Sequence, residues 1–190
     1  LEQIAEEFLN QFKTKMAALK LGDPMDEKTQ LGPLSSEDAL EIILKQVNKA
    51  VAQGAKIEIG GKKADLTGNF MQPTIISNIT SEMDLYKEEL FGPVASFYVV
   101  KNEKEAINLA NATDFGLGGS VFSKDIERAK NIANQIDSGM VFINSPTKSS
   151  TAMPFGGTKR SGYGRELSAL GIEEFVNKKL IRIITEKEKL

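Results

Sequence analysis

Cysteine and histidine are both missing from this 190-residue sequence. Without a thiol there is no thiolate nucleophile, no disulfide and no cysteine-liganded zinc. Without an imidazole there is no Ser-His triad and no histidine moving protons near neutral pH. Carboxylates, lysines and tyrosines are left as the acid–base candidates. An excess of one charge is lacking too: 24 Lys and Arg stand against 26 Asp and Glu, a formal net charge of −2, with the signs interleaved along the chain. Such a balance offers no broad electrostatic footprint for nucleic acid or anionic lipid, while small anionic ligands stay open. No apolar run approaches the roughly 20 residues that span a bilayer, and the amino terminus lacks the charged-then-apolar layout of a signal peptide. These absences predict a soluble, cytoplasmic protein with neither a membrane nor a nucleic-acid partner. The chain opens on Leu1 inside a helical pattern rather than on Met, which predicts a truncated chain or a processed fragment.

What is present is ordinary globular material, 41% hydrophobic and 26% charged, enough for one domain with a core rather than for two. From Leu1 to about Leu21, residues Ile4, Ala5, Phe8, Phe12, Met16 and Leu19 recur at three- and four-residue spacing and predict a helix ended by Gly22-Asp23-Pro24. Ser35 is a candidate N-cap for a second helix with Leu40, Ile43, Leu44, Val47 and Val51 on one side, closed by Gly54. Lys56 to Ile59 and Met71 to Ser77 read as short strands separated by Gly60-Gly61 and Thr67-Gly68-Asn69. Beyond Pro93 the order is regular: an apolar run Val94 to Val100, a helix Glu103 to Asn111, a strand Ser120 to Ser123, a helix Ile126 to Ile136 and a strand Met140 to Asn144. Helices alternating with short apolar runs predict an α/β fold whose strands lie parallel with both faces covered. A short helix around Leu167 to Phe175 and a terminal strand Leu180 to Thr185 follow.

Two stretches are chemically specific. In Glu88-Glu89-Leu90-Phe91-Gly92-Pro93-Val94, Pro93 presets its own backbone angle and biases Gly92 toward extended geometry, so a stiff corner leads into a strand. A carboxylate accepts from both hydroxyls of a vicinal diol and an aromatic face packs beside a flat ring, so Glu89 with Phe91 suits a ribose bearing a base. The plainer alternative is a surface Glu and a core Phe ahead of a buried strand. In Pro154 to Glu166, four glycines and three cations make a shaped loop. It is not a phosphate-binding fingerprint: Gly157 and Gly162 have the P-loop separation but Tyr163 follows instead of Lys, and Gly162-Tyr163-Gly164 lacks the third glycine of the dinucleotide motif. Phosphate or RNA binding by Lys159 to Arg165 would need a wider basic surface than this acidic chain provides. A glycine-rich surface loop is the plainer alternative here.

Read together with the tail, these two stretches resemble the carboxy-terminal part of the aldehyde dehydrogenase superfamily. The resemblance covers nearly the whole chain. It implies the parallel-sheet portion of that catalytic domain over residues 1–177 and an oligomerisation strand with its tail over 178–190. It also implies that Glu89 holds the nicotinamide ribose, that Phe91 borders the ring, and that Phe155 lines the aldehyde tunnel. Lys159, Arg165 and Glu166 would be structural, and Asn144 a loop anchor or a pocket wall. The wording around Gly162 to Leu167 and Glu174 to Lys178 is most similar to bacterial succinate-semialdehyde-type members, in which Lys148, Ser149 or Ser150 would meet a distal carboxylate; a solvated loop is the alternative. The apolar strand Leu180 to Thr185 would add to a neighbouring subunit and make a homo-oligomer, or else complete this chain's own sheet.

Family members oxidise aldehydes with NAD or NADP through a cysteine thiolate, and this chain has no cysteine. The resemblance therefore implies a piece of an enzyme, inactive by itself, lacking the nucleophile, the carboxylate base and the dinucleotide-binding domain. The rival class is a non-catalytic interaction module built on the same core.

Overall fold

A computed structural model describes residues 1–185, which fall into two compact units, one of residues 1–113 and one from residue 114 onward. In the first, α1 (Glu2–Ala17) and α2 (Glu37–Ala52) precede β1 (Lys56–Ile59), β2 (Thr74–Ser77), a 3-10 turn (Asp84–Tyr86), β3 (Val94–Ser96) and α3 (Glu103–Asn111). Helix α2 starts at Ser36, one residue beyond the expected cap, where the Ser36 hydroxyl accepts from the Ala39 amide at 3.1 Å. Its buried residues Leu40, Ile43, Val47 and Ala50 keep the spacing of one helix face. They meet Met71, Ile76, Ile79, Met83 and Leu85, and this cluster is the core. Each fully buried Leu, Ile, Val or Met contributes about 1.5–3 kcal/mol, and Ile43, Val47, Met71, Ile75 and Ile76 are nearly inaccessible. Gly54, at φ +111°, ends the helix in a conformation a side chain would strain.

The sheet order in this unit is β1-β2-β3, with β1 antiparallel and β3 parallel to β2. On β1, Glu58 lies with its side chain 6% exposed, ion-paired to Lys56 at 2.9 Å and Lys13 at 3.6 Å. The Ser77 hydroxyl donates to it at 2.7 Å. Hydrogen bonds from Lys56 and Ser77 hold the Glu58 carboxyl below its usual range against the opposing effect of burial.

The second unit holds β4 (Phe115–Gly116), β5 (Gly118–Val121), α4 (Ile126–Ala133), β6 (Met140–Ile143), β7 (Thr158–Lys159) and α5 (Ser168–Glu173). Strands β5 and β6 pair in parallel through the α4 crossover, and β4 pairs antiparallel with β7. Asp125 caps α4 by accepting from the Arg128 amide at 3.0 Å. Among the described residues of this unit, Ala129 is the one apolar side chain that is fully buried.

The single parallel sheet expected between Val94 and Asn144 is not formed. The strand at Val94 joins β2, while β5 and β6 pair with each other in a separate two-stranded sheet. Alternating apolar runs report burial but not which neighbour supplies the ladder, and two of the four strand pairings are antiparallel. Among the described residues the terminal strand is likewise not formed: Leu180 to Thr185 belongs to no ladder and lies exposed. A strand exists only against a second one, and the sheets among the described residues do not provide it. The rest of the expected 178–190 segment, residues 186–190, lies outside the described residues. Among the described residues, no helix is long and apolar enough to cross a membrane.

Candidate functional site

Glu89 and Phe91 belong to the first unit, whereas Lys148, Ser149, Ser150 and Phe155 belong to the second. The first pair sits on a tight corner. The Gly92 amide donates to the Leu90 carbonyl at 3.0 Å and the Val94 amide to the Gly92 carbonyl at 2.8 Å. The Pro93 carbonyl then accepts from Thr74 at 2.8 Å, tying the corner to β2. Leu90 packs against the core. Glu89 is exposed and Phe91 is 78% exposed. The core-Phe alternative is thus wrong: Leu90 takes the inward position and both flanking side chains face out.

From behind, α2 holds this segment. The end of the Ile43 side chain lies where a Cβ on Gly92 would sit, so the glycine lets α2 approach this closely without displacing it. Three polar side chains, Gln46 and Lys49 of α2 and its C-cap Gln53, reach the stretch Asp84 to Glu89. Gln53 Nε2 donates to Asp84 Oδ2 at 2.8 Å and the Asp84 amide returns a bond to Gln53 Oε1 at 3.2 Å. Lys49 pairs with Asp84 at 2.7 Å, an exposed contact that lowers the Asp84 carboxyl and raises the Lys49 ammonium in pKa. Gln46 Nε2 donates to Glu88 Oε2 at 3.1 Å and, more weakly, to the Glu89 carbonyl at 3.4 Å. Sequence reasoning missed this row. Its only signal is a polar file at helical spacing beside the apolar stripe.

The glycine-rich loop of the second unit closes on itself. Phe155 and Glu166 exchange backbone hydrogen bonds of 2.8 and 2.6 Å, and Arg165 Nη1 donates to the Gly157 and Gly164 carbonyls at 2.8 and 2.6 Å. Lys159 pairs with Asp137 at 3.3 Å. The Ser161 hydroxyl accepts from the Gly116 amide at 3.0 Å, which fastens the loop to β4. Phe155 is half-buried at the loop's start, while Lys148 and Ser149 are exposed and Ser150 partly so. The Ser168 amide donates to the Thr151 carbonyl at 3.0 Å, linking the Lys148 to Thr151 stretch to α5. Asn144 is an anchor. In a left-handed conformation at φ 56°, its Oδ1 accepts from the Ser123 amide and its Nδ2 donates to the Ser123 carbonyl, both at 2.8 Å.

The first unit thus presents an exposed carboxylate beside an exposed ring, and the second a self-bonded loop that starts with a half-buried Phe. A family profile described as "Aldehyde dehydrogenase family" matches residues 1–181. The chain belongs to the aldehyde dehydrogenase family. Its relatives in that family include a succinate-semialdehyde dehydrogenase [NADP(+)] of Deinococcus radiodurans, 48% identical over 189 residues, covering all of this chain and 40% of that protein. Among solved structures, the succinic semialdehyde dehydrogenase of Streptococcus pyogenes with NADP+ superposes with a TM-score of 0.92 at 45% identity, over 96% of this chain and 40% of that one. The betaine aldehyde dehydrogenase of Staphylococcus aureus with NAD+ gives 0.87 at 36% identity, over 97% and 39%. The chain therefore spans about 40% of the length of the aldehyde dehydrogenases it matches. Its α/β content is that of the aldehyde dehydrogenase fold.

Proposed function

We propose that this chain is the part of an NADP-dependent aldehyde dehydrogenase that seats the nicotinamide ribose and walls the aldehyde tunnel, with succinate semialdehyde as substrate. The observation that supports it best is the braced corner on which Glu89 and Phe91 are both exposed. A diol needs an acceptor with free lone pairs and a flat ring needs an open aromatic face, and the corner presents both. NADP+, when bound, supplies the hydride acceptor. Glu89 accepts from the ribose hydroxyls, Phe91 borders the ring, and Phe155 lines the approach of the aldehyde. Lys148, Ser149 or Ser150 meets the substrate's distal carboxylate. A charged hydrogen bond there is worth about 1.5–3 kcal/mol, tenfold or more in substrate choice. The cofactor and substrate follow the named activity of the Deinococcus and Streptococcus relatives.

The two motifs, and the lack of any cysteine, support reading the chain as one piece of such an enzyme. The reading frame around it tests this: a cysteine-bearing segment and a dinucleotide-binding domain encoded beside it support the reading, and their absence on both sides overturns it. Function is tested in a hybrid in which this chain replaces the matching 40% of the Deinococcus enzyme. NADPH formation with succinate semialdehyde, none of it from the isolated chain, is the expected result. A folded hybrid that binds NADP+ but oxidises no aldehyde overturns the proposal.

A further inference from the structure

The cofactor corner begins with two adjacent glutamates, Glu88 and Glu89, and nothing in their chemistry says which should face a ligand. The structure separates them. Gln46 Nε2 donates to the Glu88 carboxylate at 3.1 Å and, at the longer 3.4 Å, to the Glu89 main-chain carbonyl. Both glutamates are exposed, but this one amide group ties the Glu88 carboxylate to the helix while it holds Glu89 by its main-chain carbonyl and not by its carboxylate. Gln46 is itself fixed. It lies one helical step from Ile43, which is 2% exposed, and next to Val47, which is fully buried. Further along α2, Lys49 and Gln53 hold Asp84 on the same connecting segment. That segment therefore enters the corner from a rigid rail and leaves it through Pro93, bonded to β2. Between these attachments, Gln46 hydrogen-bonds the glutamate pair, and the Lys49 charge also acts on Glu88.

From this geometry we infer that Gln46 is a positioning residue. By engaging Glu88 and the Glu89 carbonyl, it selects Glu89 as the carboxylate presented to the cofactor ribose and fixes its backbone. The inference rests on the ribose-binding reading given above. Gln46 does not touch the cofactor, and its effect is felt only through Glu89. Losing its donor lets the corner move and both carboxylates compete, which weakens cofactor binding while the aldehyde tunnel, built on the other unit, is unaffected.

Hydrogen exchange on the full chain reads the positioning directly. Gln46→Met keeps volume and loses the donor, and it should speed exchange of the Glu88 to Gly92 amides while leaving α2 and the second unit unchanged. Gln46→Lys, which keeps a donor, should restore protection. In the hybrid enzyme, Gln46→Met should raise KM for NADP+ about three- to tenfold with KM for aldehyde unchanged. Glu89→Gln tests the underlying reading separately: if it leaves the NADP+ KM alone, the ribose assignment fails whatever Gln46 does. If Glu89→Gln raises that KM and Gln46→Met changes neither amide exchange nor cofactor KM, the positioning role is overturned by itself.

Discussion

Gly139 faces Gly156 across the second unit so closely that a Cβ on Gly139 would run into the Gly156 carbonyl oxygen and the Gly157 Cα. The contact is backbone against backbone, so no side-chain rotation can relieve it. Gly139 leads into β6, and Gly156 follows Phe155, so this close approach seats the glycine-rich loop against β6.

Gly139→Ala is expected to destabilise the second unit by about 1–3 kcal/mol, the usual cost of overpacking a site that cannot relax. Gly119→Ala is the control, because a Cβ there meets Ile136 at an ordinary 3.6 Å. Urea melts of both variants decide it: equal midpoints would show that the loop does not rest on the Gly139 contact.

Glu58 predicts a pH dependence with a definite sign. Its folded-state carboxyl is held below the ordinary 4.5 by Lys56 first and Ser77 second. A depressed carboxylate contributes stability that is complete above the unfolded pKa and lost as pH falls through the folded one. Stability should therefore hold from pH 7 to about pH 5, then decline below about 4.5. Glu58→Gln should be less stable than the parent at pH 7, and the gap should close toward pH 3. A gap that stays constant with pH would remove Glu58 from acid sensitivity.

The tail predicts association. Leu180, Ile181 and Ile183 are 89%, 73% and 78% exposed, and Phe175 is 89% exposed. Apolar surface of this kind, lying outside any ladder, seeks a sheet edge or a second copy. Light scattering behind size exclusion should report a mass above 20.8 kDa that rises with concentration, and Leu180→Ser with Ile183→Ser should lower it. A monomer at all concentrations would refute self-association through this segment.

Helix α2 was legible because its cap, apolar stripe and closing glycine all lie within one short stretch. Helix α3 was legible to the residue for the same reason. Strand β5 was placed two residues late, since it opens on Gly118 and Gly119, residues without strand propensity. Gly118 is tolerated there because a Cβ would crowd Thr147. The two-residue strands β4 and β7 are too short to show a period, and their pairing joins Gly116 to Thr158 across 42 residues. The Glu89 corner was visible through Pro93, but the orientation of its side chains was not. Leu90 and Phe91 are both apolar, and only packing against α2 decides which turns inward. Gln46 was invisible for the same reason: its partners lie 42 and 43 residues away.

Helix α1 leaves none of its sixteen residues fully buried. It is moored by the Phe8–Phe97 ring stack at 6.1 Å, the Lys13–Glu58 pair and a bond from the Glu2 amide to the Val100 carbonyl at 2.9 Å. Severing those three moorings uncovers none of the Leu40 to Leu85 cluster's defining contacts, so α1 is a separable outrigger that can detach while the hull stays shut. Heat or protease would release that helix while the Glu89 corner, braced by α2, outlasts it.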